Sequence, residues 1–395
     1  MPRFEPFPAI RYAATNLDEV IAPPYDVLSE ADLDQLEARH PHNIVHVDVP
    51  RERDGEQRYH LAGERLREWL GSGVLAVDDE PSFTLYRMSF TDAAGTARQI
   101  VGVVGGLEVV DEGAGGVLPH ERVTHKASTD RLDLTRATLA NMSPIWGLSL
   151  ATGLTALLAE PGEPVGSVSS DGVRHSVERV TDAARVAAIA RLVGSDDVLI
   201  ADGHHRYGVA RRYRDEIRAT TGSLDSPAEL TLAFVNELVA EQLSVEAIHR
   251  VYREIGLDDL RAALAVGFEF APAGVVDPAT LAEMGRRGSL CLVERSGSGT
   301  WLTPRRGAFD AVRALDGVWL EHLLGDTTAT VTYQHGVHEL HALMADDPTV
   351  TAAVLIRPVG VAEIERTARE GLLMPPKSTF FTPKLRTGLV VRPLG

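Results

Sequence analysis

The feature that most constrains this chain is a junction with no slack. The apolar β-rich run at 198–201 ends in Asp202 and Gly203, and the helical spacing of Val209, Ala210, Tyr213 and Ile217 begins at once. A buried strand that turns through Asp-Gly straight into an amphipathic helix is the unit from which α/β layers are built. The same alternation runs through the chain. Helices are expected over 31–39, 56–70, 132–139 and from Thr181 to near Gly194, the first opened by a capping box at Ser29 and Asp32. Strands are expected at 44–49, 82–90, 98–104, 145–150, 231–238 and 245–251, with a hairpin around Ala94-Gly95. The reading is therefore α/β with an α+β mixture, mixed sheets and crossover helices. A Pro-, Gly- and Ser-rich stretch at 160–171 is either a boundary or a long surface hairpin. We take three regions, 1–155, 156–256 and 257–395.

With 395 residues, 44% of them hydrophobic and 24% charged, the chain can fill more than one core. No run approaches about 18 apolar residues, and the start Met1-Pro2-Arg3-Phe4-Glu5-Pro6 lacks a signal-peptide pattern, so a cytoplasmic protein without a membrane partner is expected. Cys291 is the single cysteine, which excludes an intramolecular disulfide and multi-cysteine zinc sites. The net charge of −17, from 39 basic and 56 acidic residues, opposes non-specific nucleic-acid binding. Among those 39 cations only Lys126, Lys377 and Lys384 are lysine. A chain that uses arginine almost everywhere singles out those three as places where a compact ammonium is needed.

The junction at 202–207 is also the sharpest chemistry. First-turn N–H groups have no intrahelical partner, the dipole is positive there, and glycine admits a ligand close to the backbone. Gly203, His204, His205 and Arg206 are therefore candidate phosphate or nucleotide ligands. Asp202 either caps the helix or holds a hydroxyl or metal. A second polar segment, 119–131, offers His120, Glu121, His125, Lys126 and Arg131, with Asp130 as a helix cap. It is not an H-E-x-x-H zinc motif, because His125 comes one residue too late. A third, 374–384, places Lys377 beside Ser378 and Thr379, ahead of Phe380 and Phe381. It has no glycines and cannot run into a helix past Pro383, so it is not a P-loop. Its aromatics suit a strap, Lys377 suits a phosphate, and Lys384 suits a structural role. Finally, Pro23 and Pro24 stiffen the path that presents Tyr25 and Asp26, candidate substrate contacts.

Taken in order, residues 22–27, His120-Glu121 with Thr124, Asp130-Arg131, Asn141 with residues 143–145, 201–207 and the strap 374–388 resemble the motifs of the domain-of-unknown-function family 1015. The family's His-Glu-x-Thr spacing puts threonine at 123, where this chain has Val123 followed by Thr124. The turn at 202–207 is also similar to the phosphate-binding turn of ParB/sulfiredoxin-like folds, which include a free serine kinase, nucleotide-hydrolysing ParB proteins and sulfiredoxin. That resemblance implies a ParB/sulfiredoxin-like core element with an additional α/β subdomain. It also implies a nucleotide ligand.

The leading expectation is an enzyme, a small-molecule phosphotransferase or nucleotide hydrolase. Glu121, Asp202 and His205 are its candidate catalytic groups. Gly203, His204, Arg206, Lys126, Arg131, Lys377 and Ser378 would bind phosphate, Tyr25, Asp26 and His120 the substrate, and Mg2+ with ATP or ADP would be the cofactors. Two other readings stay open. One is a metal-dependent hydrolase using His120, His125, His204, His205 and Asp202; the other is a nucleotide sensor with no poised base.

Overall fold

A computed structural model describes residues 1–14, 16–92, 95–119 and 128–395, without the side chains of Ser128 and Thr129. The chain divides into two compact units: Met1–Ser244 with Pro383–Gly395, and Val245–Thr382. This differs from the three regions expected. The first sheet runs through position 155 without interruption, because Ile145–Ser149 lies beside both Val198–Asp202 and Leu230–Glu237. The 160–171 stretch is a surface hairpin within that sheet, joining Glu163–Ser170 to Val173–Val180.

The first unit is built on a nine-stranded mixed sheet. Val198–Asp202 runs parallel to Val117–Leu118 and antiparallel to Ile145–Ser149, while Leu230–Glu237 runs parallel to Ile145–Ser149 and antiparallel to Ala97–Glu108. Parallel neighbours need a crossover, and the helices Ala183–Val193 and His204–Thr221 fill that need. Ile189 and Val193 of the first helix, with Tyr207 and Ala210 of the second, pack on Val103, Ile145, Val198, Ile200 and Val235 of the sheet. The final segment stays in this unit, pairing Thr387 with Ala22, Val391 with Ile10, and Arg392–Pro393 with Ala140–Asn141.

The second unit carries a six-stranded antiparallel sheet covered on both faces. Period-two alternation sends Leu290 and Leu292 to one face, among residues of Leu257–Gly267 and Asp316–Leu324. Cys291 and Val293 go to the other, among residues of Pro278–Arg287 and Val337–Asp346. Two covered faces explain why 290–293 reads as an unbroken apolar run. Burial pushes the Cys291 thiol up to about 11, as suits a core-filling side chain rather than a reactive one.

Two local expectations change. Residues 44–49 do not form a strand: Val45–Asp48 is a helical turn. Asn43 explains it, since its Oδ1 accepts from the Val45 N–H and its Nδ2 donates to the carbonyls of Glu19 and Ile21. That side-chain bonding gives the backbone an alternative to a ladder, and β-branched composition does not override it. The helix at 183 is capped by Asp182, not Thr181, with the Asp182 carboxylate accepting from the Arg185 N–H.

Candidate functional site

The turn at 202–207 has the strand–glycine–helix form read from the sequence. Gly203 lies in the left-handed region (φ +89, ψ 27), and a Cβ there would meet the Arg206 guanidinium and Ile145 Cγ2, each at 3.1 Å. The dihedral therefore demands glycine, and the space around it is tight. The helix His204–Thr221 is 18 residues long, and its N-cap, Gly203, brings no side chain to the first-turn N–H groups. The N-cap residue itself therefore does not quench the positive end of the dipole.

Asp202 does not cap the helix because both of its oxygens are engaged. Oδ1 accepts from Lys384 Nζ at 2.8 Å, and Oδ2 accepts from Arg206 Nη2 at 2.6 Å. Burial raises the carboxyl's pKa, but the charges of Lys384 and Arg206 outweigh that and hold it well below the usual carboxylate range. A carboxylate so stabilised is a poor proton acceptor. With both oxygens already on cations, it also has little to offer Mg2+. The expected roles of Asp202 as base or metal ligand give way to that of a strut. Lys384, read as structural, is the lysine that reaches the turn.

Arg206 is the other half of the strut. Its Nη1 donates to the Pro144 carbonyl, while Nε is buried with no hydrogen-bond partner among the described residues. Burial opposes its charge, but Asp202, then Asp26, Tyr25 and Asp48, raise its pKa above the ordinary value. Arg206 also lines a cavity of about 50 Å³ with Tyr25, Asp48, Arg131, Asn141 and Ser143, space for about one or two waters. Arg131 stacks its guanidinium 4.0 Å from the centroid of the Tyr25 ring, within cation–π range. Its Nη1 donates to the Asp48 carbonyl at 2.6 Å and to Asp48 Oδ1 at 3.1 Å. Burial raises the Asp48 pKa, opposed by Arg131 and Arg206. Burial also raises that of Tyr25.

Asp130 is not a cap either. It sits inside the helix Ser128–Thr138, accepting from Tyr59 Oη at 2.5 Å and from Arg131 Nε at 3.1 Å. Asp48 and Tyr59 were not among the candidates. Asp48 fell in a stretch whose β-branched residues argue for a strand, and Tyr59 in an ordinary amphipathic helix.

The structure thus brings together Tyr25, Arg131 and Arg206 around one cavity, with Asp202 and Lys384 bonded to each other beside it. His204 and His205 open the helix and are partly buried. His120, Glu121, His125 and Lys126 lie outside the described residues. Lys377 and Ser378 belong to the second unit. The exposed Lys377 has a left-handed backbone (φ 56), and its carbonyl accepts from Arg250 Nη1 at 2.9 Å. Buried Ser378 donates from Oγ to the Pro375 carbonyl at 2.7 Å. In the same strap Phe380–Phe381 pairs with Val245–Glu246, and Phe381 is buried.

Among the described residues, no group of three or more His, Cys, Asp or Glu side chains is placed to hold a metal ion. With Asp202 on two cations and Asp48 on Arg131, these residues do not fit a Mg2+ site. No helix among them is long and apolar enough to cross a membrane.

A family model described as protein of unknown function (DUF1015) matches residues 4–318. The chain belongs to that family. The matched span contains the segments around Tyr25, Arg131, Asn141 and Asp202 and ends before the strap at 374–388. No curated protein matches the chain. Solved structures of similar backbone include a conserved hypothetical protein from Pyrococcus furiosus, 11% identical, with a TM-score of 0.37 over 68% of this chain and 87% of that one. A free serine kinase in complex with AMP is 13% identical, with a TM-score of 0.37 over 68% and 84%. A C-terminally truncated SbnI from Staphylococcus aureus is 12% identical, with a TM-score of 0.40 over 74% and 87%. Likeness of this order assigns no residue or ligand to this family member.

Proposed function

We propose that the first unit binds a phosphate group at the Gly203–Arg206 turn and that the protein is a small-molecule phosphotransferase or nucleotide hydrolase. The observation that carries the reading is the start of the helix at His204. Its N-terminus follows a left-handed glycine that has no side chain to cap it, and stands beside an arginine whose Nε is buried and has no partner among the described residues. Backbone N–H groups, the helix dipole and that guanidinium are the donors a phosphate needs.

Phosphoryl transfer asks mainly for positioning and neutralisation of charge. Asp202 serves positioning: it holds Arg206 and Lys384 side by side, so two cations are fixed before the ligand arrives. His205, one residue inside the helix, would donate to the phosphoryl oxygens. With Asp202 committed to its ion pairs, Glu121 is the candidate base that would accept a hydroxyl or water proton, and Lys126 a candidate phosphate ligand. Tyr25 and Asp26 would contact the acceptor, along with His120. In this reading the ligand is a cytoplasmic nucleotide, ATP or ADP.

The test is a single turnover. Excess protein mixed with γ-labelled ATP or β-labelled ADP, alone and with a panel of small hydroxyl compounds, should transfer or release labelled phosphate. Glu121→Gln should slow that step at least a hundredfold without weakening nucleotide binding, in the range by which general-base catalysis contributes. Tight nucleotide binding with no phosphate released or transferred by the unaltered protein would mark a sensor instead.

A further inference from the structure

The first unit holds a second cavity, of about 270 Å³, enough for about nine waters at about 30 Å³ each. Its wall is apolar where Ile21, Pro23, Val27 and Val168 face it, and Arg386 stands within that wall. The segment around Tyr25 thus serves two cavities: Tyr25 lines the one at Arg206, while its neighbours Pro23 and Val27 line this one.

Arg386 is only 7% exposed, yet nearly every part of it is fixed. Its backbone N–H donates to Tyr86 Oη at 3.0 Å, its Nε to His175 Nε2 at 3.4 Å, and its Nη2 to the Asp171 carboxylate. His175 is itself held by Tyr86 Oη at 2.8 Å, and burial, then the Arg386 charge, keep the ring neutral, its pKa lowered to about 3. Asp171 reaches the guanidinium from a tight hairpin turn, where it and Gly172 are both left-handed (φ 53 and 74). The arm that remains, Nη1, has no hydrogen-bond partner among the described residues. Holding a buried guanidinium in one orientation costs desolvation, and two bonds to the guanidinium, with a third to its backbone N–H, leave one unengaged arm that suits a group waiting for an anion.

We propose that this cavity binds a small organic acid, its carboxylate on Arg386 Nη1 and its apolar body against Ile21, Pro23, Val27 and Val168. The charges around the cavity choose a monoanion over a phosphate. Asp18, Asp32 and Asp171 line it against Arg386 and Arg39 alone, so two guanidiniums already face three carboxylates. A dianion would meet that net negative field with twice the charge of a carboxylate, which the one unengaged arm of Arg386 can take up. The site is separate from the phosphate turn and does not depend on that reading.

The test is a titration of the full chain with benzoate and isovalerate, followed by calorimetry and by ligand-observed NMR. Benzamide is the neutral control, phenyl phosphate the dianionic one, and melting temperature the folding control. Both acids should bind saturably, with benzamide and phenyl phosphate at least tenfold weaker. Val27→Trp, which adds a ring at a position already 41% exposed, should cut acid binding at least tenfold with the fold intact. Arg386→Lys should reduce it while keeping a charge in place, and Arg206→Ala should leave it unchanged in the folded fraction. Failure of both acids to bind would overturn the proposal. So would benzamide or phenyl phosphate binding as tightly, or acid binding lost in Arg206→Ala but kept in Val27→Trp.

Discussion

Asp202→Asn is expected to destabilise the first unit by about 3–5 kcal/mol at neutral pH, the range for removing one partner of a buried ion pair. The asparagine would remove the carboxylate that bridges Arg206 and Lys384, whose side chains are 10% and 16% exposed. Lys384→Met in the same chain should return part of the loss, because it removes one of the two cations that Asp202 holds together. The pH dependence follows from the direction of the shift. Asp202 is held below its ordinary pKa, so its contribution is present above the unfolded carboxylate range, about pH 4, and fades as pH falls toward the folded value. The gap in stability between the unaltered protein and Asp202→Asn should therefore be full at pH 7 and narrow steadily below about pH 4. Urea unfolding followed by circular dichroism across that range measures it. A loss under about 1 kcal/mol at pH 7, as for surface pairs, would show that the strut is dispensable.

The second large effect is on binding. Arg206→Lys keeps a cation that can reach Asp202 but removes the planar fork, and with it the simultaneous bonds to Asp202 and the Pro144 carbonyl and the third arm, Nε. A charge-assisted hydrogen bond contributes about 1.5–3 kcal/mol, so affinity for ATP or inorganic pyrophosphate should fall about tenfold or more. Calorimetry on the folded fraction reads the change. Arg206→Ala is the less clean variant, because it strands Asp202 against Lys384 alone and opens the Pro144 carbonyl to the cavity. An affinity unchanged in Arg206→Lys would remove the arginine from the site.

The sequence made the turn legible because its signals are local. A β run, an Asp-Gly step and a helical period within twenty residues leave one arrangement, and Gly203 occupies the left-handed position such a turn requires. The strand at 290–293 is equally plain, since an unbroken apolar run is what a strand covered on both faces requires. What could not be read were partnerships made across the chain. Lys384 is 182 residues from Asp202, and nothing in either neighbourhood encodes their contact. The scarcity of lysine marked Lys384 as unusual, but the loop chemistry around Lys377 drew the functional reading there instead. Asp48 was hidden for a different reason. The β-branched residues around it argue for a strand, and only Asn43's bonds to the backbone of 19–21, a tertiary contact, turn that stretch into a helix. The division into units was misread at 155 because a Pro-, Gly- and Ser-rich hairpin has the composition of a linker.

The most direct test of a phosphate site at the helix start is to watch its own N–H groups. Titrating 15N-labelled, deuterated protein with inorganic pyrophosphate and then ATP, the amides of His204, His205 and Arg206 should shift downfield together and saturate with one affinity, as N–H groups do when they take up an anionic acceptor. Sulfate should compete for the same resonances. Saturable binding that moves other amides and leaves these three unchanged would contradict the assignment of the turn.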